Sequence, residues 1–425
     1  MSPIKRPKPT TVVLGLLCVM YLITYVDRVN ISTSANLIRQ ELKLSNAQLG
    51  FVLSAFGYPY LVFQIFGGWI GDRFGPRSTL FLCGVVWAGA TILTGLSGGV
   101  VALFLCRVLV GVGEGATFPV ATRAMQGWTP VGRRGFAQGL THAFSRLGNA
   151  ITPPIVAWLI ALVAWRGSFV VLGCTSLLWV VTWLWYFRDV PAEHPAITRE
   201  ELDILPNHGR PAAIARPRVP WGALTRRMAP VTIVYFCYGW TLWLYLTWMP
   251  SYFLNEYKFD LKKSALLTSA VYLPGVIGDY LGGEISDRIL HRSGDLLKAR
   301  RNVVTVGFLG SFICMVPVFL THDLVPIILS LGAALFFAEL VIGPMWSIPM
   351  DIAGKFSGTA AGMMNTGSAL AAILSPIAFG YIIDATGNWQ LPFAGSLGFL
   401  LLGAFLAPTM HPEVPFDESG KPALG

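Results

Sequence analysis

A few ionisable side chains lie inside the apolar stretches of this chain, and those are the places where it could do chemistry. The first stretch reads Tyr21-Leu22-Ile23-Thr24-Tyr25-Val26-Asp27-Arg28-Val29-Asn30. On a helix, spacings of three, four and seven put Tyr21, Thr24, Tyr25 and Ser32 on the face of Arg28. A cation beside hydroxyls suits an oxygen-rich anion, because a guanidinium grips a carboxylate as a two-pronged fork. Asp27 points about 100° away around the helix and need not simply neutralise Arg28. A second stretch sets Arg107 and Glu114 seven residues apart, on one face and two turns apart, with Gly111 clearing space between them. An embedded carboxylate answers both to desolvation and to a nearby guanidinium, so its hold on a proton changes as partners rearrange. Asp27 and Glu114 are therefore the expected proton-coupling acids, and a static Arg107–Glu114 ion pair is the alternative. A third stretch carries His142, Arg146 and Asn149 on one face, without an acid on the same helix, so an anionic ligand would supply the missing charge. Tyr60, Trp346 and Asn365 either face a central cavity or simply pack.

These residues need elements that hold them in an apolar medium, and the composition says which. Of 425 residues, 54% are hydrophobic and only 12% charged, against roughly 25% charged in an ordinary soluble domain. The chain reads as an all-α integral membrane protein, which excludes a cytosolic enzyme and a nucleic-acid binder. Its net charge of +9 is spread between apolar runs without interleaved aromatics. Such charges orient helices in a bilayer. The six cysteines sit singly in apolar runs, with no metal-ligand spacing. No zinc, P-loop or dinucleotide motif appears, so no cofactor or metal is expected. No small-residue cleavage site follows the first apolar run, which is read as a span and not as a signal peptide.

A spanning helix takes about 20 apolar residues. Spans are expected near 10–33, 46–70, 78–97, 100–122, 136–162 and 168–187, then near 228–254, 264–286, 301–320, 324–347, 357–383 and 390–409. That is twelve, in two six-helix halves, residues 1–187 and 227–425. The proline-rich, polar segment 188–226 links them. Lys5, Arg6, Lys8, Arg73, Arg77, Arg133, Arg134, the linker arginines and the basic loop from Arg288 to Arg301 fall on one side. Arg39, Lys43, Arg166, Lys258, Lys262 and Lys263 fall on the other. The excess puts both termini in the cytoplasm.

The halves repeat a motif. Gly68-Trp69-Ile70-Gly71-Asp72-Arg73-Phe74-Gly75-Pro76-Arg77 follows the second span, and Gly283-Glu284-Ile285-Ser286-Asp287-Arg288 follows the eighth. Each has Gly-x-x-x-Asp-Arg at the same end of the corresponding helix. The glycine admits a neighbouring backbone, and the Asp-Arg pair can bond to the end of an adjacent helix.

With these motifs the chain resembles the major facilitator superfamily of secondary transporters along its whole length. Within it, Tyr25-Val26-Asp27-Arg28-Val29-Asn30, Arg107 to Glu114 with Phe118-Pro119, and Ser357 to Gly362 with Asn365 resemble the anion:cation symporter family. That family carries sugar acids such as galactonate, glucarate and hexuronates, and is similar to animal sialin and vesicular glutamate transporters. The resemblance implies proton-coupled import of an organic anion, a sugar acid or other mono- or dicarboxylate, by alternating access at an inner membrane. It makes Asp27 and Glu114 the coupling acids, Arg28 the carboxylate ligand and Arg107 the partner of Glu114. Tyr25, Tyr60, Trp346 and Asn365 match substrate contacts. Ser145-Arg146 stands where galactonate carriers have a glutamine, and a second cation would suit a dicarboxylate. The expected partners are the anion, protons and the lipid bilayer, with a monomer as the default. A drug/proton antiporter of the same superfamily is the alternative, although its glycine-before-proline signature is absent from Gly148 to Pro154. An intramembrane protease, suggested by Gly95-Leu96-Ser97-Gly98, has no placed histidine partner.

Overall fold

The computed structural model describes residues 7–43, 52, 55–209, 219–259 and 261–416. The beginning of the expected second span and residues 1–6, 210–218 and 417–425 lie outside them. The structure is 87% helix. Its helices are α1 (Pro9–Glu41), α2 (Gly57–Phe74), α3 (Pro76–Leu96), α4 (Val100–Gly115), α5 (Thr117–Trp128) and α6 (Arg134–Tyr186). After a short helix α7 (Arg199–Ile204) come α8 (Trp221–Glu256), α9 (Leu261–Ser293), α10 (Val303–Met315), α11 (Leu324–Leu340), α12 (Ile342–Ala353), α13 (Ser357–Thr386) and α14 (Pro392–Leu406). Prolines open α1, α3 and α14 at the first helical turn, where a missing N–H costs nothing.

Four of the expected spans end differently. α4 runs into α5, and α11 into α12, so the spans expected at 100–122 and 324–347 continue to Trp128 and Ala353. The expected fifth and sixth spans are the two arms of α6, which bends at Val163 (φ −132°, ψ 17°) and Ala164 (φ 56°, ψ 174°). Among the described residues, eight stretches are long and apolar enough to cross a bilayer on length and composition alone. α2, α9 and the first arm of α6 are too rich in glycine and polar residues for that measure. Each still presents exposed apolar side chains, Val62 and Phe66 on α2, Leu273 and Ile277 on α9 and Trp158 on α6. Together these rods are the twelve spans of the fold.

The repeated motif fixes one end of the bundle. A Cβ on Gly68 would run into the Gly358 carbonyl, and one on Gly283 into the Gly135 carbonyl. With the backbones in contact, Asp72 reaches the first turn of α13. Its carboxylate accepts the N–H groups of Gly358 (3.0 Å) and Thr359 (2.7 Å) and the Thr359 hydroxyl (2.6 Å). Asp287 does the same for α6, accepting from Gly135 (3.1 Å) and Phe136 (2.6 Å). The first N–H groups of a helix have no partner within it and carry its positive end. Each aspartate is thus a cap supplied from another helix, and α2 caps α13 while α9 caps α6.

The arginines of the motif behave differently from the expectation. Arg73 lies against the rings of Trp69 and Phe74, and Arg288 pairs with Glu284 one turn back on an exposed face. The cations that hold the capping aspartates come from elsewhere. Arg123 lies 3.4 Å from Asp72, and Arg300 lies 2.8 Å from Asp287. Arg300 also binds Asp351 (3.0 Å), which Arg134 approaches to 2.9 Å. Arg77 donates twice to the Leu184 carbonyl near the end of α6 (3.1 and 2.8 Å), a position that favours a cation.

Beyond α6 the chain packs back on the same end. His194 sits between the rings of Trp128 and Tyr186, and burial, with Arg188 nearby, holds its imidazole below the usual value. Glu201 accepts from the Thr10 hydroxyl (2.8 Å) at the start of α1.

Asp72→Ala removes an N-cap, a change of about 1 kcal/mol. Spin labels at Phe74 and Lys355, with the exposed Cys174 removed, are expected to move apart in part of the population. An unchanged distance distribution would deny Asp72 this role.

Candidate functional site

Tyr25 stands at the centre of α1, and beside it lies a small cavity. Six of the expected substrate contacts line it together: Tyr25, Arg28, Tyr60, Arg146, Trp346 and Asn365. They come from α1, α2, α6, α12 and α13, so the cavity depends on how distant parts of the chain meet. His142, Tyr235 and Trp243 complete much of the wall. Trp346 donates its indole N–H to the Tyr235 hydroxyl (2.7 Å), and Asn365 donates to Gln64 Oε1 (2.7 Å).

Arg28 is held in a box of aromatic faces. Its guanidinium carbon lies 5.0 Å from the Tyr25 ring centre, 5.1 Å from Phe56, 4.7 Å from Tyr60 and 5.2 Å from Phe118. Ring faces attract cations, and rings on several sides fix the plane of the fork. Nε donates to Glu114 Oε2 at 2.6 Å. Arg28 Nη2 and Glu114 Oε1 have no hydrogen-bond partner among the described residues, so this pair keeps both a donor and an acceptor in reserve.

Arg146 is the second cation, and it is not waiting for an anion. Glu339 of α11 takes Nε at 2.9 Å and Nη2 at 3.1 Å, a bidentate grip. The Tyr238 hydroxyl accepts from Nη2 (3.0 Å) and donates to Glu339 (2.7 Å). Nη1 donates to the Tyr25 hydroxyl (3.3 Å). Asp279 of α9 stands 3.8 Å from Nε. The expectation of a missing charge considered only the helix that carries Arg146. The acid arrives from another helix, 193 residues along the chain.

Three further expectations need correction. Arg107 is not the partner of Glu114, since among the described residues that place belongs to Arg28. Arg107 lies against Phe56, 5.2 Å from the ring centre, with its Nε unpartnered. Seven residues along one helix give the same face, but a carboxylate pairs with whatever cation the neighbouring helix brings closest. Among the described residues Asp27 does not pair with an arginine either; it accepts from the Ser176 hydroxyl at 3.2 Å. Ser145 is buried, without a hydrogen-bond partner among the described residues, and does not line the cavity. It sits about 100° around α6 from Arg146.

Glu339, Asp279, Tyr238 and Gln64 belong to this site as well. The signal for the two acids was in the sequence, where each is a carboxyl in an apolar run. The partner was not. Counted together, three guanidiniums (Arg28, Arg107, Arg146) face four carboxyls (Asp27, Glu114, Asp279, Glu339), all buried or nearly so.

Residues 17–376 match the Major Facilitator Superfamily. The chain is 47% identical over 422 residues to the probable sulfoacetate transporter of Cupriavidus necator, covering 98% of each chain. It is 30% identical to the probable galactarate/D-glucarate transporter of Escherichia coli, covering 95% of this chain and 92% of that one. Among solved structures it resembles the proton:xylose symporter XylE, with a TM-score of 0.76 at 16% identity over 94% of this chain and 95% of that one. The human organic anion transporter MFSD10 has a TM-score of 0.72 at 16% identity, over 95% and 100%. At these identities the two structures speak for the fold alone.

Arg146→Ala would leave Glu339 and Asp279 buried without their cation, a loss of about 3–5 kcal/mol read as a lower melting temperature in detergent. Changing both Arg146 and Glu339 to leucine should recover much of it. A double variant no more stable than the single one would remove the ion pair as the source.

Proposed function

Because the chain belongs to the Major Facilitator Superfamily, we propose that this membrane transporter is a proton-coupled symporter for a small organic anion. It works by alternating access between residues 1–187 and 227–425, joined by the linker 188–226. It acts as a monomer in the inner membrane, with both termini cytoplasmic, and imports its substrate. Parallel halves with a site between them are the usual basis of such rocking.

The observation that carries this reading is the charge arrangement around the cavity. Its two arginines are already engaged, Arg28 by Glu114 and Arg146 by Glu339. A third negative group cannot join them cheaply while those acids are ionised. A proton on Glu114 removes the competing charge and leaves Arg28 to hold the anion within its aromatic box. Asp27, with its single hydroxyl donor, is the second acid that can carry a proton. Tyr25, Tyr60, Trp346 and Asn365 then contact the substrate. As the loaded carrier opens at the other end, the Asp72 and Asp287 caps release their helices.

The name of the C. necator relative also supports a compact anion. Sulfoacetate is a two-carbon acid with a sulfonate and a carboxylate, and its few hydrogen-bonding needs suit a cavity walled largely by rings. Sugar acids, named for the more distant relatives, would also meet hydroxyl and amide groups here, from Tyr25, Tyr60, Tyr235, Ser368 and Asn365.

Thermal-shift measurement on detergent-purified protein against organic acids, at about pH 5.5 and about pH 7.5, tests this reading, since a binder stabilises the folded carrier by mass action. A selective shift with one acid, lost in Arg28→Ala, is expected. A shift with lipophilic cations and none with any acid would favour the drug/proton antiporter instead. In proteoliposomes, Glu114→Gln should abolish net proton-driven uptake and retain part of the exchange of internal for external substrate. Full uptake in that variant would end the coupling role of Glu114.

A further inference from the structure

The grip of Glu339 on Arg146 is more than a structural tie. Four hydrogen bonds from the guanidinium are committed, two to Glu339, one to Tyr238 and one to Tyr25. An anion can take the fork of Arg146 only by displacing Glu339. If that happened with both acids ionised, two carboxylates would remain side by side without a cation, each with no exposed surface. Asp279 has no hydrogen-bond partner on either oxygen among the described residues. Stripping such a pair of its cation costs several kcal/mol per ion, more than a new contact returns. Displacement therefore has to bring a proton.

The two arginines are also close. Both guanidiniums lie against the ring of Tyr25, at 5.0 Å for Arg28 and 5.7 Å for Arg146. Both line the one cavity, so a molecule there meets both.

Resting on the anion-transport reading above, we propose that Glu339, backed by Asp279, is an internal anion occupying a second anion subsite at Arg146. One proton taken up by this carboxyl pair hands the subsite to the second acidic group of a two-headed substrate, a short dicarboxylate or sulfocarboxylate. The proton comes from water on the side where substrate enters and leaves to water on the other side, so each two-headed anion carries a proton beyond the one bound at Glu114. No bond to the substrate is made or broken. Around the pair stand Arg146 from α6 and Tyr235, Tyr238 and Tyr245 from α8, and around Arg146 itself His142 from α6, Tyr25 from α1 and Tyr272 from α9. Of these, Arg146 is the fixed cation. The tyrosines hold their protons, so the pH response falls to the two acids.

Calorimetric titration of the full-length protein, with sulfoacetate as the two-headed probe and methanesulfonate as the one-headed probe, tests this at about pH 5.5 and about pH 8. The native protein should bind sulfoacetate at least about tenfold tighter at the lower pH, with a smaller pH effect for methanesulfonate. Glu339→Gln should bind sulfoacetate several-fold tighter than the native protein at the higher pH, and its pH effect should fall to that seen with methanesulfonate, the part set by Glu114 at Arg28. Gel filtration and melting temperature report whether the variant is folded. Asp279→Asn keeps the Arg146–Glu339 pair and gives an independent reading, with sulfoacetate affinity at the higher pH rising several-fold. An unchanged pH effect and an unchanged preference for sulfoacetate in a folded Glu339→Gln, or in Asp279→Asn, would overturn the subsite. If the native protein binds methanesulfonate through Arg28 under those outcomes, the transport reading still stands. Binding of neither probe at either pH defeats both.

Discussion

A charge inside an apolar medium must be neutralised where it stands, and the interior of this protein is arranged around that demand. Burying an ion costs several kcal/mol after relaxation, and the attraction of a well-placed counter-ion offsets it. Arg28 meets Glu114, and Arg146 meets Glu339. Neither pair lies within one helix. The first joins α1 to α4 and the second joins α6 to α11, so each neutralisation also sets how two helices sit. The cavity occupies the gap between these pairs, and its walls are the rings that shield them.

Helix ends face the same demand in weaker form. The free N–H groups opening α6 and α13 are partial charges near an apolar phase, and each finds a carboxylate on a helix elsewhere in the chain. Small residues make this possible, because Gly68 and Gly283 let the backbones touch. Pairing of charges at the cavity and capping of helices at one end both tie segments that lie far apart in sequence.

That distance also explains what could be read from the sequence. Spans, the repeated motif and the faces of α1 were legible, because hydropathy and helical spacing are local properties. Tyr25, Arg28, Tyr60, Trp346 and Asn365 line the cavity, as their positions on apolar helices suggested. Partners were not legible. Arg146 looked uncompensated because Glu339 lies 193 residues away, and Glu114 looked paired with Arg107 because both share one helix. In the motif, adjacency suggested that Asp72 works with Arg73 and Asp287 with Arg288. Packing instead brings Arg123 and Arg300 to them, since neighbours in sequence point in different directions around a helix.

The closed end of the bundle is sealed by main chain on main chain, with glycines against carbonyls and amides on short carboxylates. Contacts of that kind leave no room for a file of water molecules. Around these contacts Arg77, Arg123 and Arg300 fill the remaining space as hydrogen-bonded or charge-paired side chains. A seal made of backbone has few intermediate settings, since two backbones either touch or separate. Parting them would thereby be a single step and not a gradual widening.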